Sequence, residues 1–407
     1  MSGVIAEERT KNAGAGWTLG ANPASYVLGD VRVVLPHSVT DRASVVVEDG
    51  RIVEIVKAGV LRADVAGAGL LLMPGLIDVH SDALEKERMP RPAAPLPLDF
   101  ALRSFDAKIA AAGITTMFHG AGFHRKFADG VTRTPVTALQ MCEAIDAYVS
   151  DRVDHRVLHR FDVRGAEGAE LIRERLDGLP ADAEPILLSH EDHTPGQGQY
   201  ADIEHFIDAL VAGGEDRDAV RVNVAQRIAD AEHTDLIRDD NLIWAGKQAR
   251  LGRVRLVGHD PDSAEAIDAL VERGGSVAEF PTTVEAARRA RERGLVTVAG
   301  APNVLRGGSH SGNISAVALI AEGLVDALAS DYLPSSLLAA AMLLARDGVL
   351  DLPEAVRLVT SGAAAVSGLS DRGCITPGAR ADFALIDDRG PWATVVTTLV
   401  AGRSVGC

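Results

Sequence analysis

Between residues 73 and 360 of this 407-residue chain, short apolar runs alternate with helix-like segments about eight times. FALRSFDAKIAAAG precedes ITTMFHG, and PTTVEAARRARERG precedes LVTVAGAP. A helix followed by a buried strand is the signature of parallel βα units. The runs fall near 74–79, 114–119, 157–163, 185–189, 254–258, 276–279, 296–300 and 326–330. Eight of them favour a closed (β/α)8 TIM-like barrel, an α/β fold, over an open doubly wound sheet. The flanks read differently. Residues 25–72 hold short alternating segments around Asp49-Gly50, a hairpin signal, and residues 372–407 turn β-like again. Together they predict one small β-sandwich domain built from both termini, with the barrel over 73–371. The polar, Gly-containing residues 1–24 are expected to be flexible.

Imidazoles and carboxylates recur at the downstream ends of the apolar runs, which is where a barrel of this kind builds its active site. LLMPGLIDVHSD ends in His80 and Asp82, RVLHRFD in Asp162, VRLVGHD in His259 and VDALASD in Asp331. PILLSHEDH supplies His190 and His193, one of which is expected to be a ligand. His80 and Asp82 stand at i and i+2, so a strand end projects both to one side. Asp162 could bridge two ions or pair with Arg160 or Arg164. Asp331 could touch a metal and take a proton from water, or cap the next helix; the roles are compatible. Glu279 closes another strand, and GAPNVLRGGSHSGNIS (300–315) offers Asn303, Arg306 and His310 beside glycines that let a ligand approach. His119 ends the ITTMF run and could reach the same rim, whereas His37, His155, His205 and His233 read as surface residues.

Imidazole with carboxylate suits one or two divalent ions, zinc first, with manganese or iron where oxygen ligands dominate. Such an ion lowers the pKa of water from ~16 towards ~7, which hydrolysis at neutral pH needs. The pattern therefore predicts a metal-dependent hydrolase. A net charge of −16 argues against a nucleic-acid surface, but not against a small phosphorylated ligand. Three cysteines are too few for a disulfide framework or a cysteine-based zinc site. With no signal-like N-terminus and no run of ~18 apolar residues, a cytoplasmic protein without a membrane partner is expected. The expected partner is a small-molecule substrate; self-association into a homo-oligomer is left open.

MPGLIDVHSD near the start and ASD near the end resemble the amidohydrolase superfamily. Within it the chain is similar to the diphosphatases that cleave α-D-ribose 1-methylphosphonate 5-triphosphate in phosphonate catabolism. The matching segments are PGLIDVHSDALEK, AGITTMF, DHTPGQGQY, GHDPDS, AEFPTTVEAA, GAPNVLRGGSHSGNISA and SDYLPSSLL. The resemblance implies a binuclear site with His80, Asp82, His193, His259 and Asp331 as ligands, and Asp162 where a bridging glutamate would sit. It implies Asp331 as base, hydroxide attack on the α-phosphorus and pyrophosphate as leaving group. Lys86, Arg91, Arg306 and His310 would contact the anion, with His190, Glu279 and Asn303 as further candidates around the substrate. The chain departs from the family pattern in reading Ala83 for asparagine, Glu87 for histidine, Phe118-His119-Gly120 for Phe-Asp-Ala and Gly198 for arginine. These changes thin the substrate rim and spare the ligands, so the alternative is an amidohydrolase acting on a C–N bond of a cyclic amide or a deaminase substrate.

Overall fold

Strands β1 (Ser25–Leu35), β2 (Ser38–Glu48), β3 (Arg51–Lys57), β4 (Val65–Ala66) and β5 (Leu71–Pro74) open the chain. These coordinates are a computed structural model describing residues 23–91, 93–128, 131–180, 182–309 and 312–405; of the segment expected to be flexible, residues 1–22 lie outside them. β2 and β3 form an antiparallel hairpin through Asp49 and Gly50, at φ 48° and 77°. Paired positive φ values are what a tight two-residue hairpin demands, and Asp-Gly meets that demand cheaply. The C-terminal strands β16 (Phe383–Asp387), β17 (Thr394–Val400) and β18 (Arg403–Ser404) join the same curled sheet, β16 pairing antiparallel with β5. Leu28, Val45, Ile52, Leu72, Ile375, Phe383 and Leu399 give this sheet its own core.

The second sheet is the barrel. Its strands are β6 (Leu76–Ser81), β7 (Ile114–Phe123), β10 (Asp154–Asp162), β11 (Ile186–Glu191), β12 (Val254–His259), β13 (Val277–Glu279), β14 (Val296–Gly300) and β15 (Ala327–Ala329), paired in parallel and in chain order. A small antiparallel pair, β8 (Lys126–Ala128) and β9 (Val131–Arg133), follows β7. All eight apolar runs are thus barrel strands. Ile77, Phe118, Leu158, Leu187, Val257, Val277, Val298 and Ala327 fill the interior, while residues of opposite parity such as Met117, Phe161, Leu188 and Leu256 pack outward with the helices. That alternation sets what each strand end can reach.

The seam between β6 and β15 closes on a short main-chain bridge at the rim, between Ser81 and Asp331, and below it on side chains and a neighbouring loop. Asp331 donates its N–H to the His80 carbonyl at 2.9 Å, and Asp82 donates to the Asp331 carbonyl at 2.6 Å. Below them, Leu328 and Ile77 donate to the carbonyls of Leu358 and Val359. The buried Asp78 carboxylate accepts from the Ser330 hydroxyl at 2.5 Å and its N–H at 3.1 Å. Closure therefore brings the first and last strand ends together at the rim.

Between β11 and β12 the chain makes an excursion of three helices, Ile203–Ala212, Arg217–Glu232 and Asp235–Arg250, with a satellite core of Ile207, Val220 and Val224. It braces the rim, since Arg227 donates to the His193 carbonyl and Arg164 to Asp235. No helix among the described residues is long and apolar enough to cross a membrane.

Two histidines depart from the sequence expectation because of strand parity. His119 lies within β7 and faces outward, stacked on His155 with a 2.8 Å contact from Nε2 to Nδ1. His155, expected on the surface, is buried against Asp106. His159 behaves similarly: one ring nitrogen lies 3.2 Å from the Leu187 carbonyl and the other accepts from Arg175 Nε at 2.8 Å. Burial, then the Arg175 charge, lowers its pKa to about 3. The unfolded chain, titrating near ~6.5, thus binds a proton that the native one refuses. Stability from this site is complete above pH ~6.5 and is lost as pH falls towards 3, by at most ~1.4 kcal/mol per pH unit. His159→Phe should therefore flatten the fall in urea stability between pH 7 and 5; an unchanged slope would contradict the assignment.

Candidate metal centre

Four barrel strands deliver side chains to one point by simple alternation. Val257 and His259 share a face of β12, Val277 and Glu279 share a face of β13, and Leu187, Ser189 and Glu191 share a face of β11. Leu158 and Arg160 do the same on β10. β6 is the exception. Strict alternation from Ile77 would turn His80 outward, but the pairing with β7 slips between Asp78 and Ser81. A bulge of this kind re-aims a side chain, and His80 ends up facing Glu279 across the barrel.

Glu279 is the hub. One of its oxygens lies 2.9 Å from His80 Nδ1; the other lies 2.7 Å from His259 Nδ1 and accepts from the Ser189 hydroxyl at 2.9 Å. A carboxylate that takes Nδ1–H from two imidazoles fixes both rings with Nε2 free to act as donor, the usual partnership behind a metal-binding histidine. Glu279 was expected at the substrate; the geometry gives it this orienting position instead. Two three-residue donor groups then stand in front of the hub, His80 with Asp82 and Asp331, and His193 with His259 and Asp260; the ligand atoms within each lie within 4.8 Å of one another. His80 Nε2 is 3.7 Å from Asp82 Oδ1, and His259 Nε2 is 3.3 Å from Asp260 Oδ2.

Buried polar atoms normally find a partner. Here His80 Nε2, Asp82 Oδ1, Glu191 Oε2 and Asp260 Oδ2 are all buried without a hydrogen bond. Converging lone pairs of imidazole and carboxylate, left unsatisfied in one place, are the donor set that a divalent cation would satisfy.

The electrostatics agree. Burial works against charge on His80, but Glu279 and Asp82 outweigh it and raise the pKa well above the usual value. Burial likewise opposes charge on His259, and Asp260, Glu191 and Glu279 together lift it to about 9. Glu191 is lowered to about 2 against burial, chiefly by Arg160. Asp331 is raised by burial. Backbone strain collects at the same rim: Asp260, Phe280 and Asp331 follow directly or closely on three strands with φ of 50°, 55° and 56°. Left-handed backbone is unfavourable at a bulky residue and concentrates at functional sites.

The centre opens into a cavity of about 250 Å3 lined by His80, Asp82, His259, Asp260, Asn303, Arg306 and Asp331 among others. Helix Ala301–Arg306 ends on Gly307 at φ 76°. Asn303 spends its amide on the loop, accepting from Ala316 N–H at 3.0 Å. Arg306 donates to the Tyr332 hydroxyl, and Lys86 lies 5.1 Å over the Tyr332 ring, so two of the four expected anion contacts gather at one edge. A smaller cavity of about 100 Å3 adjoins on the far side of Asp82 and Arg160, reaching His124, Arg133, His193 and Tyr200.

Other expected residues do not join. Asp162 belongs to none of the donor groups found among the described residues; its carboxylate accepts from the Arg164 N–H at 2.9 Å and closes the turn after β10. Its register partner Glu191, which the sequence reading passed over between two histidines, occupies the interior position instead. Counting in twos from Leu187 would have found it. His190 has the opposite parity from Glu191, is lowered to about 4 by burial and the nearby Arg273, and lines neither cavity. Arg91 is exposed and lines neither. His310 lies outside the described residues. Asp260 and Arg160 are further members that the sequence reading did not assign.

A family profile described as the amidohydrolase family matches residues 218–405. The chain is also 33% identical, over 366 residues, to the α-D-ribose 1-methylphosphonate 5-triphosphate diphosphatase of Escherichia coli (strain K12), covering 88% of this chain and 94% of that one. The chain belongs to the amidohydrolase family. It is therefore a hydrolase on a barrel scaffold, with candidate metal-binding groups at the rim. Solved amidohydrolase structures share the fold at low identity. A 5-methylcytosine deaminase from Klebsiella pneumoniae liganded with 5-fluorocytosine matches with a TM-score of 0.63 at 13% identity, over 93% of this chain and 97% of that chain. A dihydropyrimidinase from Brevibacillus agri matches with a TM-score of 0.57 at 14% identity, over 94% and 95%.

Proposed function

We propose that this amidohydrolase is a metal-dependent phosphoric-anhydride hydrolase that converts α-D-ribose 1-methylphosphonate 5-triphosphate to 5-phosphoribosyl 1-methylphosphonate and pyrophosphate. The likeness running through 94% of the E. coli diphosphatase carries this reading. A divalent ion would be held by His80, Asp82 and Asp331, or by His193, His259 and Asp260 with Glu191 beside them. Zinc suits these donors best, with manganese or iron next. A bound divalent ion supplies Lewis acidity and brings the pKa of water towards ~7. Asp331, half-buried and with its pKa raised by that burial, accepts the proton of the attacking water. Arg306 and Lys86 draw the anionic end of the substrate to the Tyr332 edge and offset charge on the leaving group. Purified protein supplied with zinc or manganese is expected to release pyrophosphate from this triphosphate. A fully metallated enzyme that releases none rejects the reading.

A second reading, hydrolysis of a C–N bond in a cyclic amide or aminopyrimidine, draws on the cavity wall. Gln199 and Asn313 line it as neutral amides, and of the arginines there among the described residues, Arg160 and Arg306, Arg160 is engaged by two carboxylates. Neutral amides match a flat heterocycle better than a triphosphate. Ammonia or ring-opened acid from a panel of such compounds would favour this reading, and silence across the panel would remove it.

A further inference from the structure

Arg160 lies where the two donor groups meet. Its Nε donates to Glu191 Oε1 at 2.5 Å, and a terminal nitrogen donates to Asp82 Oδ2. One guanidinium thus ties a member of the His80–Asp82–Asp331 group to the carboxylate whose other oxygen is 3.7 Å from His193 Nδ1. β7 is cut away to admit it. A Cβ on Gly120 would stand 2.4 Å from Asp82 Oδ1 and 3.0 Å from Arg160 Cδ. The Arg160 side chain is 14% exposed, its Glu191 partner 1% and its Asp82 partner 23%.

Resting on the metal-centre reading above, we infer that Arg160 is a built-in cation that limits this centre to a single divalent ion. A binuclear centre would need the two carboxylates to share their negative charge between two dications. Here a fixed positive charge already takes one oxygen of each, Asp82 Oδ2 and Glu191 Oε1, leaving Asp82 Oδ1 and Glu191 Oε2 to serve an ion. Once the first ion has bound, a second meets the repulsion of both it and the guanidinium, in a buried site where solvent screens poorly. Binding of a second ion is expected to be on the order of 100-fold weaker or worse.

The test is metal content after equilibrium dialysis against zinc, read by elemental analysis with circular dichroism as the check on folding. The wild-type chain is expected to hold one zinc per chain. Arg160→Met, which keeps the length and removes the charge, should hold two; Arg160→Lys, which keeps the charge, should hold one. Two zinc ions in the wild type, or one in a folded Arg160→Met, overturns the inference. Should Arg160→Met fail to fold, manganese-loaded wild type decides the matter by electron paramagnetic resonance: an isolated-ion spectrum supports a single site, and a spin-coupled pair overturns it. A wild type that binds no ion at all overturns the metal-centre reading itself, whereas failure on stoichiometry alone leaves the proposed hydrolysis standing.

Discussion

Asp331→Asn is expected to lower turnover by about 10²–10⁴-fold, the range typical of a lost general base, with a much smaller change in KM. Asparagine keeps the side chain's shape and an oxygen that can face an ion, but it cannot accept the proton. Asp331 is held for this task by both neighbours of the seam: its N–H bonds to the His80 carbonyl and its own carbonyl accepts from Asp82. Its φ of 56° keeps the carboxylate at the rim, where burial raises its proton affinity. Steady-state pyrophosphate release by the two proteins at matched metal content is the measurement. A variant within tenfold of the wild type would remove Asp331 from the chemistry.

Metal removal should produce the second large effect, and it should depend on pH in a direction that the imidazoles dictate. Without an ion, His80 and His259 carry protons at neutral pH, because the carboxylates around them raise their pKa values. An ion takes Nε2 only after the proton leaves, so uptake at pH 7 should release between one and two protons, measurable by calorimetry in buffers of different ionisation enthalpy. Apparent affinity should then climb as pH rises towards 9. The metal-free protein runs the other way. His259 contributes ion-pair stability fully present below its unfolded value near ~6.5, and that contribution is lost as pH rises through about 9. At one fixed metal concentration, stabilisation by metal should accordingly widen between pH 6 and 9, reaching about 4 kcal/mol where that concentration is a thousandfold above Kd. Glu279→Gln should weaken metal binding by about 10–100-fold, as loss of an orienting partner commonly does. Metal uptake without proton release would contradict the arrangement of Glu279 between the two rings.

Much of the barrel is legible in local pattern. Each of the eight apolar runs became a strand because a strand buried on both faces has to be apolar almost throughout, and because helical segments of amphipathic spacing lie between them. The Asp49-Gly50 turn was equally local, since the two residues themselves tolerate the positive φ that the hairpin needs. His80, Asp82, His193, His259 and Asp331 could be picked out as chemistry-bearing residues at strand ends, and all five fall within the donor groups.

Which of several polar side chains at a strand end turns inward is a different question, and it separated the remaining candidates. Glu191 and Arg160 are interior because the strand alternates in twos, and His190 is excluded for the same reason; this could have been counted. The slip in β6 that turns His80 inward could not, since it arises in the pairing of β6 with β7. Nor could the embrace of two imidazoles by Glu279, or of two carboxylates by Arg160, be read from residues 199, 20, 78 and 31 positions apart.

By itself, the sequence determined a parallel α/β barrel flanked by β-rich ends and a set of metal-compatible side chains at its strand termini, because hydrophobic period and turn chemistry act over a few neighbouring residues. Only the tertiary structure decided which of those side chains meet, which nitrogen of each imidazole is left to donate, and that a guanidinium stands among the carboxylates. Those outcomes depend on ring closure and strand register, which bring distant positions to within a hydrogen bond of one another.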